Sequence, residues 1–278
     1  MKKLWLSIII LVCLPSCLTE DEAFPEVELV VEGWIEEDGY PVVYLGESRP
    51  PQETDEVDIR DYIVRWGIVT ISDGTNTVTL TGTYTSDAYH PYRYESFNIK
   101  GEAGKTYRLK AEYNGRSVTA VTTIPAATAL DSVRIIKSDN DTLYSLKAYF
   151  VNSSPAENYY ALFSRRRHND PDFLLSFMGV VNCGTTAGKI AADVFRGSSM
   201  LTEQDKKSTI YFASGDTVDV KLCRMDRTSY QFWDSYSNLQ NLSTNMFFPY
   251  TNNLQSNIAG GKGYWCGYGT SSAMVIIP

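Results

Sequence analysis

Short runs of β-forming residues, separated by turn residues, recur through most of this sequence and limit the folds open to it. Residues 27–35 form a valine-rich, β-type run and lead into a turn at Gly39, where glycine can adopt a positive φ angle. Asn114-Gly115 separates two further runs and is typical of a tight β-hairpin. About seven such runs lie within residues 27–125, with turns roughly every eight to twelve residues, and this spacing predicts an immunoglobulin-like β-sandwich.

The second part of the chain, residues 126–278, continues mainly as strands. Its predicted strands are residues 131–136, 145–150, 159–165, 209–212, 217–223 and 264–269. The sequence therefore predicts an all-β fold, in which the N-terminal sandwich is followed by a second β-rich, sandwich-like domain with one helix.

That helix is predicted near residues 228–242. Apolar side chains recur there at i, i+4 and i+7, with Phe232, Tyr236 and Leu239 on one face. Asp226 precedes the segment and offers an N-capping side chain. We expect the apolar face to cover a sheet.

The first residues, 1–16, have the features of a lipoprotein signal peptide. A positively charged start precedes an apolar stretch, residues 4–14, that is too short to span a membrane as a helix. A small residue and then Cys17 follow, which resembles the lipobox of bacterial lipoproteins, although Pro15 departs from the usual small aliphatic residue. In that family the cysteine is acylated, so residues 17–26 would form a tether and the protein would be anchored to a membrane without spanning it. The alternative is an ordinary secretory signal with a chance cysteine.

An acidic cluster, Glu20-Asp21-Glu22, lies just after Cys17. Acidic residues at this place resemble the surface-export signal of Bacteroidota lipoproteins, which would place the body on the outer face of the outer membrane. The alternative is that the cluster only keeps the tether solvated.

Charge and histidine content exclude several classes of function. The formal net charge is −8, and removal of the two lysines of the signal peptide gives −8 − 2 = −10. Such an acidic chain argues against binding nucleic acid or anionic lipid by charge. With only two histidines, His90 and His168, a zinc site built from several imidazoles is excluded. We expect no metal and no cofactor.

Several motifs, in their order along the chain, resemble one family. They are Gly104-Lys105-Thr106-Tyr107, Thr123-Ile124-Pro125, Asn158-Tyr159-Tyr160, the tyrosine-rich helix at 230–236, and the segment 257–265 that ends in Gly263-Tyr264-Trp265. With the lipobox, they resemble the Bacteroidota outer-membrane lipoproteins grouped as domain of unknown function 4249. The resemblance implies a cell-envelope lipoprotein, often associated with TonB-dependent receptors, and it supplies no catalytic residues.

One basic cluster stands out on the acidic chain. Arg165, Arg166 and Arg167 end a predicted strand, and Phe173 lies nearby in the sequence. Arginine and aromatic side chains are frequent anchors of protein interfaces, so we regard these four residues, with the polar loop at 47–60, as candidate partner contacts. The alternative is a solvated basic tip.

Cys13 leaves with the signal peptide and Cys17 carries the lipid, so three cysteines remain: Cys183, Cys223 and Cys266. In an oxidising compartment an odd number favours one disulfide and one free thiol, and all three pairings stay open.

Other candidate chemistries have weaker support. Neither histidine has an evident nucleophile beside it, and no acid has the apolar setting of a glycosidase carboxylate, although a hidden pair among the acids stays open. Residues 138–142 place oxygen ligands at alternating positions but lack the glycine and glutamate of an EF-hand, so a polar hairpin turn is the favoured interpretation. Tyr264, Trp265 and Tyr268 suit either a sugar-stacking platform or, as we favour, the core.

These observations predict a non-enzymatic surface lipoprotein that acts as an accessory or binding subunit beside a TonB-dependent receptor. One alternative is a glycan-binding or glycan-degrading sandwich protein. The other is a fimbrial or adhesive component.

Overall fold

The structure, a computed structural model, describes residues 27–48, 59–85, 90–138, 142–153, 156–197, 210–242 and 254–278. The predicted signal peptide at 1–16, Cys17, the predicted tether 17–26 and most of the predicted loop 47–60 lie outside the described residues.

Sixteen strands and one α-helix are described. They are β1 (Leu29–Glu36), β2 (Val42–Glu47), β3 (Ile68–Ser72), β4 (Thr77–Thr79), β5 (Thr81–Tyr84), β6 (Tyr92–Glu95), β7 (Thr106–Tyr113), β8 (Arg116–Thr123), β9 (Leu130–Lys137), β10 (Leu143–Asn152), β11 (Tyr159–Arg166), β12 (Leu174–Asn182), β13 (Gly188–Val194), β14 (Phe212–Ala213), β15 (Thr217–Met225), α1 (Arg227–Leu242) and β16 (Lys262–Ile276). A 3₁₀ turn (Ile59–Tyr62) precedes β3.

The last strand, β16, runs through two sandwiches and joins them. Its first half pairs in parallel with β1, from Lys262 opposite Val30 onward. Its second half pairs antiparallel with β15, ending with Ile276 opposite Thr217. One eight-stranded sheet results, in the order β12-β11-β15-β16-β1-β2-β6-β5. Strands from both sides of residue 125 therefore share this sheet.

A smaller sheet packs on each half of the large one. The sheet β4-β3-β7-β8 covers the N-terminal half, and the sheet of β9, β10, β13 and β14 covers the other half. The first core contains Ile35, Tyr107 and Trp265, all fully buried. The second contains Phe150 and Leu162. Both halves are sandwiches, as the all-β prediction requires.

Two glycines of β16 allow the connecting segment, residues 124–129 between β8 and β9, to cross this strand closely. A Cβ atom at Gly269 would lie 2.2 Å from the carbonyl oxygen of Pro125, and one at Gly267 would lie 3.0 Å from the amide nitrogen of Ile124. Glycine is therefore required at these two positions because the two backbones pack closely there.

Helix α1 covers the opposite face of the large sheet. Phe232 and Trp233 are buried against Tyr264 and Tyr268, and the Trp233 indole donates a 2.7 Å hydrogen bond to the Tyr268 hydroxyl. The predicted apolar stripe of α1 is only partly right. Trp233, which the prediction left out, is buried, whereas Tyr236 and Leu239 are only half-buried.

The predicted N-cap, Asp226, also fastens the helix to the first sandwich. One carboxylate oxygen accepts a 2.8 Å hydrogen bond from the Ser229 amide, which caps the helix. The other accepts a 3.0 Å bond from the Thr122 hydroxyl of β8. The same hydroxyl accepts a 2.7 Å bond from the Gly267 amide, so three elements meet at one buried threonine.

Candidate functional site

The arginine cluster is built around a buried aspartate. Arg165 lies directly opposite Asp219 in the β11–β15 register, and its Nη2 is 3.0 Å from Asp219 Oδ2. Arg167 Nε lies 2.9 Å from Asp219 Oδ1. Asp219 itself is only 6% exposed. Two guanidinium groups are therefore held on one carboxylate at the end of the sheet.

Strand alternation explains why Asp219 faces these arginines. Its neighbours Val218 and Val220 point into the second core, so the side chain between them lies on the other face of the sheet. Burial alone would raise the pKa of Asp219, but hydrogen bonds from Arg167 and Arg165 and their positive charges outweigh it and hold the pKa below its usual value. The carboxylate stays charged and fixes both guanidinium groups.

Phe173 lies between two cations on this face. The Arg165 Cζ atom is 4.6 Å, and the Lys221 Nζ atom 4.2 Å, from the centre of the Phe173 ring. Lys221 also pairs with Glu36 of β1 at 2.6 Å. A chain of charged and aromatic contacts thus runs from β11 towards the first sandwich.

Arg166 faces the other way. Its Nη2 lies 2.8 Å from Asp170 Oδ1, and Asp170 is also 3.9 Å from Arg196 Nη2. The four predicted contact residues are therefore divided, with Arg165, Arg167 and Phe173 on one side of the sheet and Arg166 in a separate ion pair. Each guanidinium group has a carboxylate partner, and Arg167 is also exposed to solvent.

Two exposed aliphatic side chains lie beside the cluster. Met274 is opposite Asp219 in the β15–β16 register, and Ile276 is opposite Thr217, so both share the face that carries Arg165 and Arg167. Both are more than half exposed. We call the set of Arg165, Arg167, Asp219, Met274 and Ile276 the distal surface.

Sequence reasoning missed Asp219, Met274 and Ile276. An acid between two valines in a strand pattern was a usable signal, because a charge at such a position requires a buried partner. Met274 and Ile276 gave no such signal, since the predicted final strand ended at residue 269 and the observed strand continues to Ile276.

The three mature-chain cysteines carry free, buried thiols, so the predicted disulfide is not observed. Cys223 lies opposite Thr270, four register positions from Cys266, whereas a disulfide needs Cα atoms about 4.4–6.8 Å apart. Cys183 belongs to the second core, and the other two pack under the helix. Burial raises the pKa of Cys266 to about 12 and raises the pKa of Cys183 and Cys223 as well.

The two histidines occupy different settings. His168 is exposed in the turn after Arg167. His90 lies against the Tyr44 ring, with centroids 4.6 Å apart, and its Nε2 is 3.5 Å from Glu32. The side chains of His90 and Tyr44 line part of a cleft of about 130 Å³. Burial, followed by the nearby Asp172 charge, raises the pKa of Tyr44 to about 12.

The remaining candidates from the sequence are the aromatic residues of the last strand, the polar segment 138–142 and possible metal sites. Tyr264, Trp265 and Tyr268 are buried, so they do not form a sugar-stacking platform and the core interpretation is confirmed. β9 and β10, on either side of the segment 138–142, pair antiparallel, and residues 139–141 lie outside the described residues. Within the described ranges no group of three or more His, Cys, Asp or Glu side chains is arranged to hold a metal ion.

Comparison with known protein families decides the classification. The model for Domain of unknown function (DUF4249) matches residues 18–273, which is most of the 278-residue chain. The chain belongs to this family. No curated protein matches this DUF4249 chain. Among the described residues, no helix of this family member has the length and apolar character that a membrane span requires.

Proposed function

We propose that this DUF4249 protein is a Bacteroidota lipoprotein, anchored in the outer membrane through acylated Cys17 and exposed at the cell surface. In this proposal it is a non-enzymatic accessory subunit that binds a TonB-dependent receptor. The leader pattern at residues 1–16, the acidic tether and the family resemblance support the anchor. The distal surface supports the binding role.

The observation that carries the proposal is the arrangement of Arg165 and Arg167 on Asp219. Binding normally costs the side-chain freedom of an arginine, about 0.5–1.5 kcal/mol for each immobilised side chain. Here Asp219 has already fixed two guanidinium groups next to exposed Met274 and Ile276. Arginine is enriched among interface hot spots, and both arginine and methionine are enriched at interfaces.

The position of the distal surface also suits a partner. β1 begins directly after the tether, and Val30 lies opposite Lys262, the first residue of β16. Met274 lies 274 − 262 = 12 residues further along β16. At about 3.3 Å per residue, up to ~40 Å separate the two positions. A lipid at Cys17 would therefore leave the distal surface facing away from the membrane.

Affinity purification of the native lipoprotein from detergent-solubilised outer membrane tests the proposal. Arg167→Ala is the informative variant, because Arg165 still holds Asp219, whereas replacing all three arginines would remove both cations that pair with buried Asp219. We expect a TonB-dependent receptor to co-purify, with about tenfold weaker binding for Arg167→Ala, the effect of losing ~1.4 kcal/mol at a hot spot.

Lys110→Ala is the matched control, since Lys110 is a half-exposed cation in β7 that pairs only with Glu112 at the surface. It should leave co-purification unchanged. If no receptor is recovered, and the purified protein instead binds or cleaves a polysaccharide, the accessory role is wrong and the glycan hypothesis replaces it.

A further inference from the structure

A tryptophan projects into solvent from the end of the molecule where the tether enters. Trp66 is 87% exposed, the most exposed of the large hydrophobic side chains in the described chain. Tryptophan is enriched at protein interfaces and in membrane-interface belts, where one part of the ring meets an apolar and the other a wet environment.

The segment that carries Trp66 is held firmly. The Tyr94 hydroxyl accepts a 2.9 Å hydrogen bond from the Gly67 amide and donates one of 2.8 Å to the Val64 carbonyl. The Tyr92 hydroxyl donates a 2.8 Å bond to the Arg65 carbonyl. Three hydrogen bonds from two tyrosines therefore fix the backbone on both sides of Trp66, and its exposure belongs to the fold.

Strand registers place this segment beside the start of β1. Ile63 bridges to Gly46 on β2, and Gly46 lies opposite Val30. The Arg116 guanidinium donates a 2.7 Å hydrogen bond to the carbonyl of Val27, where the described chain begins. Trp66 is thus at the end of the molecule that the tether reaches first.

Two more exposed apolar side chains lie at the same end. Ile68 begins β3, opposite Glu112 near the end of β7. Tyr84 lies opposite Tyr92, whose hydroxyl holds the Trp66 segment. We call the set of Trp66, Ile68 and Tyr84 the tether-end surface. The exposed Arg65 stands beside it.

The length of the tether brings this surface to the membrane. From Cys17 to Val27 the chain advances ten residues, which span at most about 33–36 Å when fully extended and less otherwise. A body held at so short a distance meets the lipid surface with its tether end. Tryptophan and tyrosine rings prefer the headgroup level of a bilayer, and an arginine beside them can reach the phosphates.

We propose that the tether-end surface lies in the headgroup region of the membrane that holds the lipid anchor, with Trp66 inserted among the lipids. The inference rests on the proposed anchor at Cys17. Insertion fixes the orientation of the body, so that the distal surface points away from the bilayer.

Quenching by brominated lipid tests the insertion in the full, lipidated protein. The mature chain has four tryptophans, Trp34, Trp66, Trp233 and Trp265, so the difference in emission between the wild type and Trp66→Phe reports Trp66 alone. In dibrominated phosphatidylcholine vesicles, compared with unbrominated ones, we expect about half of the Trp66 emission to be lost, because interfacial indoles lie at headgroup level.

A tryptophan at the other end of the first sandwich is the control. Phe97 is 70% exposed and packs on Tyr40, away from the start of β1. Phe97→Trp in the Trp66→Phe background should add emission that brominated lipid leaves unchanged. Equal quenching at both positions, or none at Trp66 in an acylated protein that floats with the vesicles, overturns the insertion alone. A protein without acyl chains overturns both the insertion and the proposed anchor.

Discussion

At the scale of single residues, the molecule uses paired charges at positions where the sequence suggested a free basic patch. Asp219 is one of thirty-three acidic residues, and it fixes the positions of the Arg165 and Arg167 guanidinium groups. Its carboxylate converts two flexible side chains into a fixed cationic edge. Removing the carboxylate should therefore affect both stability and binding.

Asp219→Asn should lower the free energy of unfolding by about 1.5–3 kcal/mol near neutral pH, the range for hydrogen bonds to charged groups. Because the folded-state pKa of Asp219 lies below its ordinary value of about 3.9, the stabilisation is present above that value and is lost as the pH falls through the folded-state pKa. Denaturant titrations at pH ~6 and pH ~2 should therefore show a gap between wild type and variant that closes at low pH.

The control for this titration is Asp193→Asn. Asp193 pairs with Lys147 at 3.1 Å, but its side chain is more than half exposed. Surface pairs of this kind contribute ~1 kcal/mol or less. An equal loss at both sites would show that Asp219 is not the organising charge.

At the scale of elements, α1 is stabilised chiefly by the aromatic side chains beneath it. Phe232→Ala should lower the free energy of unfolding by ~3–5 kcal/mol, the range for truncating large buried aromatics. Gln231→Ala, on the exposed side of the same turn, should change it by less than ~0.5 kcal/mol. Comparable losses in denaturant titrations would contradict the assigned buried face.

A second prediction concerns β16, at the point where the connecting segment crosses it. Gly269→Ala places a methyl group against the Pro125 carbonyl, so the two backbones must separate. We expect a loss of ~1–3 kcal/mol, as for other overpacked sites, measured as a lower midpoint in thermal unfolding. Ser272→Ala, at an exposed position of the same strand, should leave the midpoint unchanged.

Elements with regular periodicity were predictable from the sequence. β15 begins at its predicted residue, Thr217, and the helix differs from its predicted bounds by one residue. β12 and β13 were missed because a glycine and polar residues interrupt their patterns, and β12 includes a bulge at which Met178 has a φ angle of 57°. The pairing of β16 with both β1 and β15 could not be predicted, since strand pairing depends on contacts between distant segments that one sequence does not reveal.

At the scale of the whole molecule, the shared strand should couple the two sandwiches. Unfolding either half removes the partners of one half of β16. Leu109→Ala, in the first core, should cost ~2–5 kcal/mol, and it should reduce hydrogen-exchange protection of β10 amides in the second sandwich too. Unchanged protection in β10 would mean that the halves unfold independently, as separate domains divided near residue 125 would.

The tether-end surface and the distal surface lie at opposite ends of the molecule, and each has one of the two proposed binding roles. In the proposed arrangement the tether-end surface faces lipid and the distal surface faces a partner. Met274 is central to the second claim, because it is exposed, lies opposite Asp219 and has no structural role in either core.

Photo-crosslinking in living cells tests the partner claim most directly. A photoreactive amino acid at Met274 should crosslink the lipoprotein to a TonB-dependent receptor, identified by mass spectrometry. The same group at Val121, an exposed position of β8 in the first sandwich, should give little or no receptor adduct. A receptor adduct at Met274 alone is the predicted result; equal adducts at both positions, or no receptor adduct at Met274, would contradict the account.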